Sequence, residues 1–193
     1  MKHAQEPTYS FLILTIALIL VNTLLAWISV AFIPAGTSGV ALVYIAVAFM
    51  ILFTLWFGAY GAIAAYVGTL FAGVLTAESL LQHPEIAVIW AVAGLLQVII
   101  PLVAVRNLDV DLTLSGRRDW TIILLFAVLI NNIAGAAWGA FTLSLLGPVN
   151  LAGVFFTWLA GNVIVTLLIV PLGLRLGTDR VRHSKLFVKK YWD

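Results

Sequence analysis

The chain has 193 residues, of which 63% are hydrophobic and 9% charged, against about 45–50% apolar and about 25% charged in soluble domains. Ten basic and eight acidic side chains cannot cover that much apolar surface, so the composition excludes a water-soluble globular domain. At about 20 residues per crossing there is room for five to seven transmembrane helices and none for an anchored catalytic domain. The absence of cysteine excludes disulfides, thiolate nucleophiles and thiolate-held metal centres.

In chain order, the first apolar run is Phe11–Phe32, uncharged and followed by Pro34 and Gly36. It is longer than the roughly 7–15 residues of a signal-peptide core and is read as a retained helix. The uncharged stretch Val40–Leu75 is too long for one crossing. Trp56-Phe57-Gly58-Ala59-Tyr60-Gly61 interrupts it, because glycines relax a helix and aromatics favour the interface. Val40–Phe57 and Gly58–Leu75 are therefore predicted as two spans joined by a tight hairpin. Ile86–Val105, Trp120–Leu146 and Val154–Leu174 complete an all-α, polytopic domain of six transmembrane helices, over 11–32, 40–57, 58–75, 86–105, 120–146 and 154–174. Continuous apolar runs exclude a β-barrel, whose strands alternate.

With six spans, all ten Lys and Arg fall on one side. Lys2 precedes the first helix. Arg106, Arg117 and Arg118 lie between the fourth and fifth, and Arg175, Arg180, Arg182, Lys185, Lys189 and Lys190 follow the sixth. The positive-inside rule predicts a cell-membrane protein with both termini cytoplasmic. The basic tail is then a topology determinant and a contact for anionic lipid headgroups, not for nucleic acid. Of the three loops expected outside, only Thr76–Glu85 carries ionisable groups: Glu78, His83 and Glu85.

No Asp, Glu, Lys, Arg or His falls within the predicted spans. Ionisable residues at membrane depth persist where a mechanism uses them, so their absence argues against proton-coupled carriers, redox pumps and intramembrane hydrolases. No enzyme activity, cofactor or metal is expected: His3, His83 and His183 lie outside the spans without ligand spacing, and no phosphate-binding G-x-x-x-x-G-K-[ST] motif occurs. The polar groups in the spans are amides and indoles. Asn131, Asn132 and Trp138 lie on the fifth span, Trp158 and Asn162 are i, i+4 on the sixth, and Trp90 and Gln97 share a face of the fourth. Each amide alone is equally explained by interhelical hydrogen bonding, and each indole by an interfacial belt. Their repetition as an amide below an indole on three helices predicts a pocket, open to the outer face, for a small and largely neutral ligand.

The third span carries Gly61, Ala65, Thr69, Gly73 and Ala77 at every fourth position, with Gly68 in a parallel row. Such a ladder of small residues admits a close backbone, either within the bundle or from a partner membrane subunit. Gly61, Ala65, Gly68, Thr69 and Gly73 are therefore candidate partner contacts.

Six helices in about 190 residues, both termini inside, and the segment Phe57-Gly58-Ala59-Tyr60-Gly61-Ala62-Ile63-Ala64-Ala65-Tyr66-Val67-Gly68 resemble the substrate-binding S components of energy-coupling factor vitamin transporters. The resemblance implies a ligand near the outer face, a transmembrane coupling subunit and partner ATPases. A second likeness rests on Ile33-Pro34-Ala35-Gly36, Phe156-Thr157-Trp158-Leu159-Ala160-Gly161-Asn162 and Ile169-Val170-Pro171-Leu172. These are similar to membrane-embedded sensor domains of bacterial signalling proteins, with Asn162 where that motif has an acid. The leading expectation is a ligand-binding subunit of a nutrient uptake transporter. The alternatives are a stand-alone sensor domain and a structural subunit of a larger membrane complex.

Overall fold

The computed structural model describes residues 9–32 and 41–192, and among them the chain is helical, with no strand. In order the elements are α1 (Tyr9–Phe32), α2 (Ala46–Phe57), α3 (Ala59–Thr76), the short α4 (Glu78–Gln82), α5 (Pro84–Asn107), α6 (Arg117–Ile123), a π-helical stretch (Leu124–Ile130), α7 (Asn131–Ser144) and α8 (Leu151–Arg182). The α6, π and α7 pieces form one continuous helix, Arg117–Ser144. That helix, α1, α3, α5 and α8 are each long and apolar enough to cross a membrane.

The element expected over 40–57 departs from a full-length span: α2 occupies only its last 12 residues. At about 1.5 Å per residue it is about 18 Å long. The residues before it stay non-helical because other groups take their backbone. Ile45 N–H donates to Ser29 Oγ of α1 (3.0 Å), and the Leu42 carbonyl lies against Gly161 of α8, where a Cβ would collide with it. Irregular backbone at membrane depth survives where it is held by protein or lines a cavity.

Packing follows from which faces are apolar. Nine of the twelve α2 residues are buried, as expected of a helix that is hydrophobic all round, and α3, α5 and α8 enclose it. α3 lies between α1 and α5, and α7 packs between α5 and α8. By contrast, α1 buries only Leu18, Asn22, Ala26 and Ser29, one stripe at a spacing of three to four. Leu12, Ile16, Leu20 and Leu24 of α1 and Phe156, Ile164, Leu168 and Leu172 of α8 are exposed. An exterior of this kind is compatible with a hydrocarbon surround.

One end of the bundle is knit by backbone contacts. Gly58 joins α2 to α3 with φ 60° and ψ −135°, a conformation open to glycine, and the Tyr191 carbonyl fills the place a side chain would take. Ala59 N–H donates to that carbonyl (2.8 Å), and Val188 N–H donates to the Trp56 carbonyl (2.9 Å). Trp56 Nε1 donates to Thr178 Oγ1 (3.1 Å), which donates in turn to the Leu112 carbonyl (3.2 Å). These bonds explain why α8 runs to Arg182, about two turns beyond the apolar run ending at Leu174. Phe11 stacks on Tyr60 with ring centroids 4.4 Å apart. The start of α1, the α2–α3 turn, the loop after α5 and the tail after α8 therefore meet at one end, here called the basic end.

The loop after α5 is closed by Asp111. Its carboxylate accepts from Thr113 Oγ1 (2.6 Å), Thr113 N–H (3.1 Å), Ser115 Oγ (3.0 Å) and Arg182 Nη2 (3.0 Å). Those bonds, the Thr113 hydroxyl first, hold its pKa down to about 2. Leu114 beside it has a left-handed φ of 57°, costly for a branched side chain. Burial of the side chain and a hydrogen bond from Trp120 Nε1 to its carbonyl (3.0 Å) hold it there.

Candidate functional site

In the half of the bundle away from the basic end is a cavity of about 170 Å³, bounded by α1, α2 and the non-helical residues before it, α3, α4, α5, α7 and α8. Its construction begins with glycines that seat aromatic rings. A Cβ on Gly73 of α3 would lie 2.6 Å from the Trp90 ring, and one on Gly139 of α7 would collide with the Trp158 ring. Each indole therefore packs closely against a glycine of a neighbouring helix. The two meet edge to face across the cavity, with centroids 6.0 Å apart at 63°, an arrangement aromatic pairs favour. Leu80 of α4 is fully buried and contributes to the wall.

Below the indoles lies a chain of amides. Gln97 Nε2 donates to Asn132 Oδ1 (2.8 Å). Asn132 Nδ2 donates to Thr166 Oγ1 (2.9 Å) and to the Val128 carbonyl (2.8 Å), and Thr166 Oγ1 donates to the Asn162 carbonyl (2.7 Å). Asn131 has a separate task. Pro101 has no N–H, so the Gln97 carbonyl four residues earlier lacks its helical partner. Asn131 Nδ2 donates to it at 3.2 Å, the kind of repair that makes proline tolerable at membrane depth.

The seven residues proposed from sequence thus divide. Trp90, Gln97, Trp158 and Asn162 line the cavity. Asn131 and Asn132 are fully buried in the interhelical network, and Trp138 donates to the Ile89 carbonyl of α5 (2.7 Å). None of these three is in the cavity wall: Asn131 and Trp138 are turned toward the backbone of α5, and Asn132 toward the Gln97 and Thr166 side chains. Spacing along one helix shows which residues share a face, not which neighbour covers that face. The α3 ladder is corrected for the same reason. A Cβ on Gly61 would come within 2.6 Å of the Phe53 and Thr54 backbone, and one on Gly68 within 2.8 Å of Asn22 Cβ. Ala65 and Thr69 are buried, Thr69 against Gly94. The ladder, Gly73 included, docks α1, α2 and α5 rather than presenting a face to a partner.

Sequence reading missed Tyr44 and Leu80. Tyr44 lies in an apolar run indistinguishable from helix. The pair Leu80–Leu81 within an otherwise polar loop was the available signal for the second. Three residues of the wall carry a buried polar atom with no hydrogen-bond partner: Tyr44 Oη, Trp90 Nε1 and Asn162 Nδ2. The Tyr44 hydroxyl sits beside that of Thr69 without a well-formed hydrogen bond. Among the described residues no group of His, Asp and Glu is arranged to hold a metal. Compared with known proteins, the chain matches no family model, no curated protein and no solved structure.

The Pro101–Asn131 pairing is testable by a double-mutant cycle. Asn131→Leu is expected to destabilise the protein by about 1 kcal/mol, within the range measured for interhelical hydrogen bonds in membranes. The same change in a Pro101→Ala background, where the alanine N–H satisfies the Gln97 carbonyl, is expected to cost appreciably less. Equal costs in the two backgrounds, measured by unfolding in mixed micelles, would show that the pair is not coupled.

Proposed function

We propose that this protein is the membrane-embedded, small-ligand-binding subunit of a nutrient uptake transporter, of the S-component type. The observation that carries the reading is the uncharged cavity walled by two seated indoles, whose lining residues Tyr44, Trp90 and Asn162 keep polar atoms unpaired. Most buried polar groups find partners, and leaving one without costs about 1–3 kcal/mol. A bound solute that accepts and donates hydrogen bonds removes that cost.

We read the chain as crossing the cell membrane six times with both termini in the cytoplasm. In support, nine of its ten Lys and Arg lie at or near the basic end and the tenth, Lys2, precedes α1, whose start is at that end. The second crossing combines about 18 Å of α2 with non-helical residues 41–45, which add at most about 18 Å, against a hydrocarbon core of about 30 Å. The cavity then opens toward the outside. A chain that binds a solute but has no nucleotide-binding motif hands it to partners, and the reading assigns these as a membrane coupling subunit with ATPases.

Equilibrium dialysis of the purified protein against a panel of tritiated vitamins and nucleobases tests this. Saturable binding is expected, weakened at least tenfold, about 1.4 kcal/mol, by Trp158→Ala or Asn162→Ala with folding intact. Proteoliposomes holding this chain alone should not accumulate the bound compound. Unaided accumulation would make it a self-sufficient carrier and remove the subunit assignment.

A further inference from the structure

The cavity constrains its occupant beyond being small. An engineered apolar cavity of about 150 Å³ accommodates a benzene molecule, so about 170 Å³ is the size for one ring with a few substituent atoms. Among the described residues no charged side chain lines the wall, and an ionised ligand there would lose its hydration without a counter-ion. Asn162 lines the cavity and is 2% exposed; its Nδ2 is buried without a hydrogen-bond partner, so pairing with a ligand requires the amide to turn toward the cavity. A carboxamide offers a donor beside an acceptor, and the group that matches both at once is another amide edge. Trp90 Nε1 is a further unpaired donor and requires an acceptor. The Trp90 and Trp158 rings are fixed by Gly73 and Gly139, which makes the upper wall rigid, aromatic and suited to a flat ligand edge.

Building on the transport reading above, we propose that the ligand is an uncharged, single-ring compound bearing a carboxamide or cyclic amide, whose amide edge pairs with Asn162 while its ring packs against Trp90 and Trp158. Three probes separate size, charge and pairing: nicotinamide, its isosteric anion nicotinate, and the bicyclic amide 2-quinolone. Binding is read as saturable quenching of tryptophan fluorescence and as a shift in the unfolding temperature of the intact protein in detergent.

Nicotinamide is expected to bind at least tenfold more tightly than either of the others. Asn162→Leu, close in volume and without the amide, should abolish that preference, and Asn162→Gln should restore part of it. Because Asn162→Leu can disturb packing, Trp138→Phe, outside the cavity, serves as the control that leaves nicotinamide binding unchanged. Tighter binding of nicotinate or 2-quinolone that is still lost in Trp158→Ala would overturn the ligand class and leave the binding-subunit reading standing. No saturable response to nicotinamide would also overturn the class. Dialysis against the wider panel reports separately on whether the protein binds solutes at all.

Discussion

Replacing Gly161 by alanine is expected to destabilise the protein by about 3 kcal/mol, the upper end of overpacking costs, and to abolish ligand binding. The Leu42 carbonyl occupies the place the new Cβ would take, and the Leu42 carbonyl carbon lies 3.0 Å from it. Both are backbone, so no side-chain rotation relieves the clash. Either α8 moves outward or the non-helical residues before α2 retreat, and the second displaces Tyr44 from the cavity wall. Gly116→Ala is the comparison. Its Cβ would meet only the Asp119 carboxylate, at 3.1 Å, which can shift, so the change should stay within about 1 kcal/mol. Tryptophan fluorescence during SDS-induced unfolding from mild-detergent micelles measures both. A Gly161→Ala protein as stable as its parent would mean that the Leu42 carbonyl does not abut α8.

Removing Arg106 is the second large expected effect. Its guanidinium ends α5 and donates to three carbonyls on two other segments: Leu55 at the end of α2 (2.8 Å), Val188 (2.7 Å) and Lys189 (2.6 Å). Hydrogen bonds from a charged donor are worth about 1.5–3 kcal/mol each, and stranded acceptors add a desolvation cost. The planar fork is what spans three acceptors, so lysine is not equivalent. Arg106→Gln is expected to cost about 3 kcal/mol in global stability, since the exposed part of the site is screened by water. Arg106→Lys should fall between it and the parent. The tail should also come loose, and trypsin cleavage after Lys185 and Lys189 should accelerate at least tenfold in Arg106→Gln. An unchanged cleavage rate would show that the Val188–Trp56 and Tyr191–Ala59 contacts hold the tail by themselves.

These two sites differ in how far they could be read in advance. Arg106 is the first charge after a long apolar run, which marks it as a helix end, but its three acceptors come from positions 51 to 83 residues away. Gly161 lies in a run that reads as uninterrupted helix, and nothing local marks it as the seat for another segment's carbonyl. The cavity shows the same division. That Trp90 and Gln97 share a face, and Trp158 and Asn162 another, follows from a period of 3.6. That Trp138 and Asn131 leave the cavity depends on the Ile89 and Gln97 carbonyls. The second of these becomes an open acceptor because Pro101 happens to lie four residues further on.

Composition and periodicity by themselves determine that this chain is helical, where its long apolar helices begin and end within a few residues except at the end of α8, and that its basic residues fall outside the apolar runs. Those properties are local: a run of apolar residues without charge must bury or be solvated by lipid, and its backbone must satisfy its hydrogen bonds within the segment. The tertiary structure alone decided that the second apolar run is helix only from Ala46, that the α3 ladder is consumed by α1, α2 and α5, and that four of the seven proposed site residues share one cavity. Each of these depends on the group that lies opposite: the Leu42 carbonyl at Gly161, Asn22 at Gly68, Trp90 at Gly73. Contacts between helices distant in the chain are set by the shape of both surfaces, and a single helix face records only one of the two.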